Sequence, residues 1–196
     1  MASYRLLSAA HYNPMPWKNG AGSTLEIACD SDSGLESFGW RLSIADVAES
    51  GPFSTFNDYQ RVITVLEGQG MKLTVDGEQS RPLTRLDAFA FDGASQVACE
   101  LVDGPIQDFN LIYAPQQYAA RLQWLKPIEE IKLFSSADLV MVFAADEGIS
   151  LSWNAQKAIP LGRHDCLLLE AGGTLTELVL SGKGSACCLI ELSRKG

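Results

Sequence analysis

The sequence predicts an all-β protein made of two copies of one β unit, and three observations support this prediction. Short apolar runs, either β-branched or alternating with polar residues, recur about every ten residues. Glycine or proline stands at most of the breaks between them. The chain also resembles itself at an offset of 78 residues, and the matched pairs are Val62 with Val140, Gly70 with Gly148, Leu73 with Leu151, and Asp87 with Asp165.

The same pattern gives the elements in order. We predict strands over residues 4–11, 24–27, 40–45, 62–66, 71–75, 87–91, 96–102 and 109–113, with short helices around 116–117 and 135–138. Residues 13–24 carry two prolines and two glycines, which indicates a loop. In the 40–45 strand, Arg41 and Ser43 share one face, which is either the solvent face or the inside of a barrel with a polar cavity.

Composition excludes several classes of function. The net charge of −9 and the pI near 4.7 argue against nucleic acid and anionic membranes as partners. No apolar run is long enough to cross a bilayer, and the N-terminus lacks a signal-peptide core, so we expect a cytoplasmic protein. Five cysteines form no C-x-x-C pair and are expected to be core residues.

The segment 51–70, GPFSTFNDYQRVITVLEGQG, holds the most unusual residue. Its apolar run, residues 62–66, is typical of a buried strand, yet Arg61 stands at the head of that run. A guanidinium there must reach solvent or meet an acceptor, because an unpaired buried cation is very costly. We interpret the acceptor as a bound anion. The alternative is a structural ion pair with Asp58, Glu67 or Asp108.

The VLEG sequence at 65–68, followed by LDAFAFDG, resembles the cupin pattern of small β-barrels. This resemblance implies a jelly-roll fold with two stacked barrel units, a bicupin, and we place the units at 1–120 and 121–196. Cupins hold a metal with three histidines and a glutamate. Anchoring on Gly68 puts Arg61 at the glutamate position, and Gln96 falls where a second-motif histidine belongs. We therefore expect no metal and no other cofactor. At the repeat offset Leu139 replaces Arg61, so the second unit is expected to be structural.

A closer resemblance covers most of the chain. The blocks PWKNGAGST, WRLSIADV, GPFSTF, RVITVLEG and DFN are similar to the HutD/Ves family, which is associated with bacterial histidine catabolism. The resemblance implies a small carboxylate ligand such as formate, urocanate or a formylglutamate-like compound. The residues expected to bind it are Trp17, Lys18, Asn19, Thr24, Arg41, Arg61 and Asn110.

Three functions follow from this resemblance. The first is an accessory or regulatory protein that binds the carboxylate without a metal. The second is a metal-free hydrolase or isomerase, in which Glu26 acts as general base beside Lys18. The third is a protein-interaction module whose pocket has no ligand. The oligomeric state is left open between a monomer and a homodimer.

Overall fold

The structure is a computed structural model that describes residues 3–17, 20, 22–31 and 37–196. Within these residues the protein is almost entirely β, and the 3-10 turn Ala9–His11 (η1) is its one helical element. No helix in this described part is long and apolar enough to cross a membrane. The all-β prediction is confirmed. The helices expected around 116–117 and 135–138 are wrong, because the first is a turn and Ser135 instead ends a strand paired at Thr176.

The chain divides into two compact units, and the first to be described is Tyr12–Pro115. Its strands are β2 (Pro14–Pro16), β3 (Gly22–Cys29), β4 (Trp40–Val47), β5 (Gly51–Pro52), β6 (Gln60–Glu67), β7 (Met71–Val75), β8 (Glu78–Gln79), β9 (Ala88–Asp92), β10 (Val97–Leu101) and β11 (Ile106–Tyr113). They form a six-stranded sheet, in the order β2-β3-β4-β11-β6-β9, and a four-stranded sheet, in the order β5-β10-β7-β8. All neighbouring strands are antiparallel.

The core of this unit lies between its two sheets. Alternate side chains of the six-stranded sheet, such as Ile63 and Val65 of β6, meet Leu73 of β7 and Cys99 of β10. These residues are almost fully buried. The inner face of β6 is therefore apolar at Ile63 and Val65, and its polar position is Arg61.

The second unit comprises Met1–His11 and Gln116–Gly196. Its strands are β1 (Ser3–Leu7), β12 (Tyr118–Leu125), β13 (Ile131–Ser135), β14 (Leu139–Ala144), β15 (Ile149–Trp153), β16 (Ile159–Leu161), β17 (Cys166–Glu170), β18 (Thr176–Ser181) and β19 (Cys187–Arg194). Its sheets run β1-β17-β14-β19-β12 and β13-β18-β15-β16. The interior is filled by aliphatic side chains, among them Val142, Leu151, Leu167, Leu178 and Leu189.

The internal repeat is present in the structure. Strands β7 and β15, and likewise β9 and β17, begin and end at positions 78 residues apart. Gly70 and Gly148 both have positive φ, +111° and +87°, which explains why glycine recurs there. One detail of the mapping changes, because Arg61 pairs with Phe91 whereas Leu169 pairs with Val140. The counterpart of Arg61 in the interior is therefore Val140 and not Leu139, and it too is apolar.

The expected division at residue 120 differs from the observed one. Strand β1 pairs antiparallel with β17 along its whole length, and Tyr4 packs edge-on against the ring of Trp153 at 5.0 Å. The first eleven residues therefore belong with the C-terminal unit. Sequence patterns report the type of an element but not its distant partner, so this pairing was not visible in the alternation of residues 4–11.

The pairing of β1 can be tested with Leu151→Ala. Leu151 is fully buried in the core that includes Leu167 and Leu169 of β17, so the substitution should cost about 2–5 kcal/mol in urea unfolding. Amide hydrogen exchange should accelerate in β1 together with β17, because the two strands share one hydrogen-bond ladder. Faster exchange in β17 with no change in β1 would contradict the assignment.

Candidate functional site

One end of the six-stranded sheet carries polar side chains on its inner face. Because side chains alternate along a strand, Asp108, Asn110 and Ile112 of β11 share this face. On the flanking strands, Arg41 and Arg61 both pair with Ile112. The register thus places the two arginines in one row, two strands and roughly 10 Å apart at their Cα atoms.

A cavity of about 490 Å³ opens on this face, a size typical of small-molecule sites. Its walls are mainly apolar and come from the segment before β6 and from the β2–β3 region. The lining residues are Thr24, Arg41, Ser43, Ala45, Arg61, Asp108, Asn110 and Ile112 on the sheet, with Met15, Pro16, Trp17, Pro52, Phe53, Ser54 and Phe56 around them.

Arg61 is held firmly at the side of this cavity. Nη1 donates to the backbone oxygen of Ser54 and Nη2 donates to Oδ1 of Asn110, both at 3.0 Å. The rings of Phe53, Phe56 and Phe91 lie around the guanidinium, with centroids 4.9–5.7 Å from Cζ. The residue is only 6% exposed. Its Nε is buried and has no acceptor among the described residues.

The guanidinium is nevertheless charged at neutral pH. Burial lowers the pKa of Arg61 to about 10, because the charged form loses hydration; Asp108 opposes this fall and the positive charge of Arg41 adds to it. A pKa near 10 still leaves the group protonated at pH 7. The side of the cavity therefore presents a fixed positive charge.

No carboxylate among the described residues forms an ion pair with Arg61. Asp108 is connected to it through Asn110, whose Nδ2 donates to Oδ1 of Asp108 at 2.6 Å. Of five guanidinium N–H groups, two are satisfied by described acceptors. The structural ion pair considered above is therefore not formed, and donors remain for an external acceptor.

Asp108 is the second ionisable group in the cavity and is 1% exposed. Burial raises the pKa of Asp108 to about 7; the charge of Arg61 and the hydrogen bond from Asn110 oppose the rise, and the charge of Asp46 adds to it. Near neutral pH this carboxyl group is therefore divided between its neutral and its ionised form. The charge of the cavity accordingly depends on pH in the physiological range.

Arg41 has a partner within the protein. Its Nε lies 2.7 Å from Oε2 of Glu26 on the neighbouring strand β3. The two opposite charges compensate each other, which leaves Arg61 as the cation without a carboxylate partner among the described cavity residues. Glu26, the residue considered as a general base, is thus engaged by Arg41.

The wall formed by Trp17 depends on a glycine. The indole Nε1 donates to Oγ1 of Thr24 at 2.8 Å, which fixes the ring across the start of β3. A Cβ at Gly22 would lie 3.0 Å from the indole and 2.2 Å from the backbone oxygen of Asp46. Only glycine allows the ring and the strand to approach this closely.

Comparison with known proteins identifies the family. The HutD family model matches residues 9–188. A Pseudomonas putida protein of 21.2 kDa, described as uncharacterized and lying in the hutC 3′ region, is 55% identical over 98% of both chains. The chain belongs to the HutD family. The HutD/Ves resemblance is thereby confirmed, and this family is linked to histidine utilisation.

Two solved structures show the same fold as this HutD-family chain. HutD from Pseudomonas fluorescens SBW25 is 50% identical, with a TM-score of 0.87 over 99% of this chain and 100% of that one. A conserved protein of unknown function from Pseudomonas aeruginosa PAO1 is also 50% identical, with a TM-score of 0.95 over 97% and 99%. More distant similarities, at 8% identity, include salicylate 1,2-dioxygenase and support a cupin-like fold.

The structure brings together most of the residues expected to form the HutD site. Five of them line the same cavity, namely Arg61, Asn110, Arg41, Thr24 and Trp17. Lys18 and Asn19 lie outside the described residues, so their placement stays a prediction. The sequence patterns did not indicate Asp108, Phe53 and Phe56 as cavity residues. The DFN block contained the signal for Asp108, because alternation places it on the same face as Asn110.

The side chains of this HutD cavity do not fit the metal that many cupins hold. Within the described ranges, no three His, Cys, Asp or Glu side chains are grouped so that they could bind a metal. The cavity instead offers a guanidinium, a carboxyl group and an amide. A cation would meet the positive charge of Arg61, whereas an anion would be attracted to it.

Asp108→Asn should change how stability depends on pH. Because the pKa is higher in the folded than in the unfolded protein, the folded state retains this proton more tightly. The contribution of Asp108 to the free energy of unfolding should therefore fall as pH rises from about 4 to about 7. Asp108→Asn has no such titrating group. The free energy of unfolding of the variant relative to wild type should therefore rise over that window by up to about 4 kcal/mol and then level off.

The measurement is urea unfolding at several pH values. Asp103→Asn, which alters an exposed residue between β10 and β11, controls for the loss of a carboxylate. A difference between Asp108→Asn and wild type that stays constant from pH 4 to pH 8 would contradict the raised pKa.

Proposed function

We propose that this HutD-family protein binds a small carboxylate of histidine catabolism in the cavity, without a metal, as an accessory or regulatory protein. The observation that carries the proposal is the buried charge of Arg61, which borders a cavity and has no carboxylate partner among the described residues. A carboxylate would supply the missing counter-charge, and its two oxygens match the planar donors of a guanidinium.

The surroundings of Arg61 support a ligand-binding role over a purely structural one. Replacing a complete buried ion pair by well-packed apolar side chains is often neutral or stabilising, so buried charges in general are weak support for a role in stability. The three phenylalanine rings and the Ser54 carbonyl hold the guanidinium in a fixed orientation. A fixed donor binds its ligand with a smaller loss of conformational entropy.

The volume of the cavity bears on which acid binds. Formate would occupy a small part of about 490 Å³, whereas urocanate or a formylglutamate-like acid would fill more of it and contact the apolar walls. One structure of HutD from Pseudomonas fluorescens is described as a formate condition. Formate is therefore a useful minimal probe of the carboxylate-binding group, and the larger acids test the remainder of the cavity.

The enzymatic alternative needs an acid–base group as well as the anion anchor. Glu26, its candidate base, is paired with Arg41, whereas Asp108 is a carboxyl group that lines the cavity. No described geometry favours proton transfer by Glu26 over the ion pair it already makes. Turnover of urocanate or formylglutamate by the purified protein would establish the enzymatic alternative in place of simple binding.

Thermal unfolding with a panel of acids tests the proposal. A ligand present at about a hundred times its Kd stabilises the folded state by about 2.7 kcal/mol, which corresponds to roughly 5–10 °C for a chain of this size. Formate, urocanate and formylglutamate should be compared with neutral analogues. We expect at least one acid to raise the wild-type Tm.

Arg61→Met should abolish this shift, because it removes the cation and keeps an apolar chain among the phenylalanine rings. Its Tm without ligand should be lower than that of wild type, because the Ser54 carbonyl and Oδ1 of Asn110 lose their donors, so each shift is measured from the variant's own ligand-free Tm. Arg61→Lys should weaken the shift, since an ammonium lacks the planar pair of donors. Arg121→Met, an exposed arginine of the C-terminal unit, is the matched control. An unchanged wild-type Tm with every acid, or an equal shift in Arg61→Met, would refute the proposal.

A further inference from the structure

Asp108 is a buried group of the cavity that carboxylate binding at Arg61 leaves unexplained. A carboxylate anchor needs a cation, yet an acidic side chain lies beside it on the same face of β11 as Asn110. An ionised carboxylate there would repel the ligand. Its presence therefore requires a role that a simple anion site does not provide.

The hydrogen bonds of Asp108 leave one oxygen available. Oδ1 accepts from Nδ2 of Asn110, and no described residue donates to Oδ2. The residue is 1% exposed and lines the cavity, so its carboxyl group lies close to the space where a ligand would bind. An unsatisfied carboxylate oxygen in such a site gains most from an N–H or O–H donor.

Asn110 fixes the distance between the two ends of the site. One amide group separates the guanidinium from the carboxyl group, with hydrogen bonds of 3.0 Å and 2.6 Å on its two sides. The span from Nη2 of Arg61 to Oδ1 of Asp108 is therefore at most about 8 Å. A molecule of a few bonds, lying beside Asn110, can reach both groups at once.

The charges around Asp108 define what the ligand must bring. Arg61 on β6 is the nearby cation, Asp46 on β4 adds negative charge, and Cys99 on β10 is a thiol whose pKa burial raises to about 12, so it stays neutral. A bound carboxylate would form an ion pair with Arg61, so the charge of Arg61 would no longer compensate that of Asp108. Asp108 must then either take up a proton or receive a hydrogen bond from the ligand itself.

We propose that Asp108 determines specificity by accepting a hydrogen bond from an N–H group that the ligand carries within about 8 Å of its carboxylate. The inference rests on the proposed function, since it names the class of acid that the same cavity prefers. The ligand is then a carboxylate with a ring or amide N–H, held by Arg61 at one end and by Asp108 at the other. Acids without the donor bind only when Asp108 is protonated.

The test uses two acids that differ in one atom and do not titrate between pH 6 and pH 8. Pyrrolylacrylate carries a ring N–H where furylacrylate carries an oxygen. Their Kd values are measured by calorimetry on the full-length protein at pH 6 and pH 8. Urocanate and formylglutamate are measured in the same series, because they present the donor as a ring N–H and as an amide N–H.

We expect wild type at pH 8 to prefer pyrrolylacrylate by about tenfold to a hundredfold, the usual contribution of a hydrogen bond to a charged group. The preference should shrink at pH 6, where Asp108 is mostly protonated. In Asp108→Asn the ratio of the two Kd values should be close to one at both pH values. The Kd of furylacrylate should no longer depend on pH in this variant. Asp103→Asn, which removes an exposed carboxylate outside the cavity lining, should behave as wild type.

Equal affinity of wild type for the two acrylates at pH 8, with both still lost in Arg61→Met, would overturn the role of Asp108 and leave the binding proposal intact. A preference that survives in Asp108→Asn would overturn it as well. Failure of every acid to bind wild type would refute the binding proposal itself. Preferential loss of urocanate, or of formylglutamate, in Asp108→Asn would identify which kind of N–H the site accepts.

Discussion

The buried charge of Arg61, which has no carboxylate partner in the part of the chain that the structure describes, is the constraint on which the rest of the site depends. A buried guanidinium without a carboxylate must be stabilised by weaker groups, and here these are one carbonyl, one amide and three aromatic rings. The carbonyl and two of the rings come from residues 53–56, whereas the amide lies on β11 and the third ring on β9. The segment before β6 must therefore fold back over the sheet, and that return encloses the cavity.

The polar site and the apolar core share the same strands. Along β6 the inner face changes from Arg61 to Ile63 and Val65 within a few residues, and β11 changes in the opposite sense from Ile112 to Asp108. The antiparallel register places Ile112 beside Arg61 and Asp108 beside Val65, so each polar side chain has an apolar neighbour across the sheet. The buried charge is thus surrounded by well-packed aliphatic residues, which keep its hydrogen bonds in a fixed geometry.

The sequence predicted the all-β class, most strands and the alternation of Arg41 and Ser43, because these depend on local periodicity. It identified Arg61 as the unusual residue, since a cation at the head of an apolar run is evident without coordinates.

The sequence did not predict that β1 pairs with β17, nor that Phe53, Phe56 and Phe91 converge on one guanidinium. Both depend on contacts between distant residues. Asp108 was considered only as a salt-bridge partner, because sequence does not show that Asn110 separates the two charges.

The repeated spacing of the two halves has an evolutionary consequence. Val140 occupies in the C-terminal unit the interior position that Arg61 occupies in the other, and leucine and valine fill the space around it. The two units therefore need not meet the same structural requirements. If one unit supplies the hydrophobic stabilisation, the other can accept a charged interior with a cavity at the expense of its own stability. Selection on the two interiors should therefore differ. It should maintain the volume of the core side chains in the C-terminal unit and the charged and polar groups of the cavity in the Tyr12–Pro115 unit.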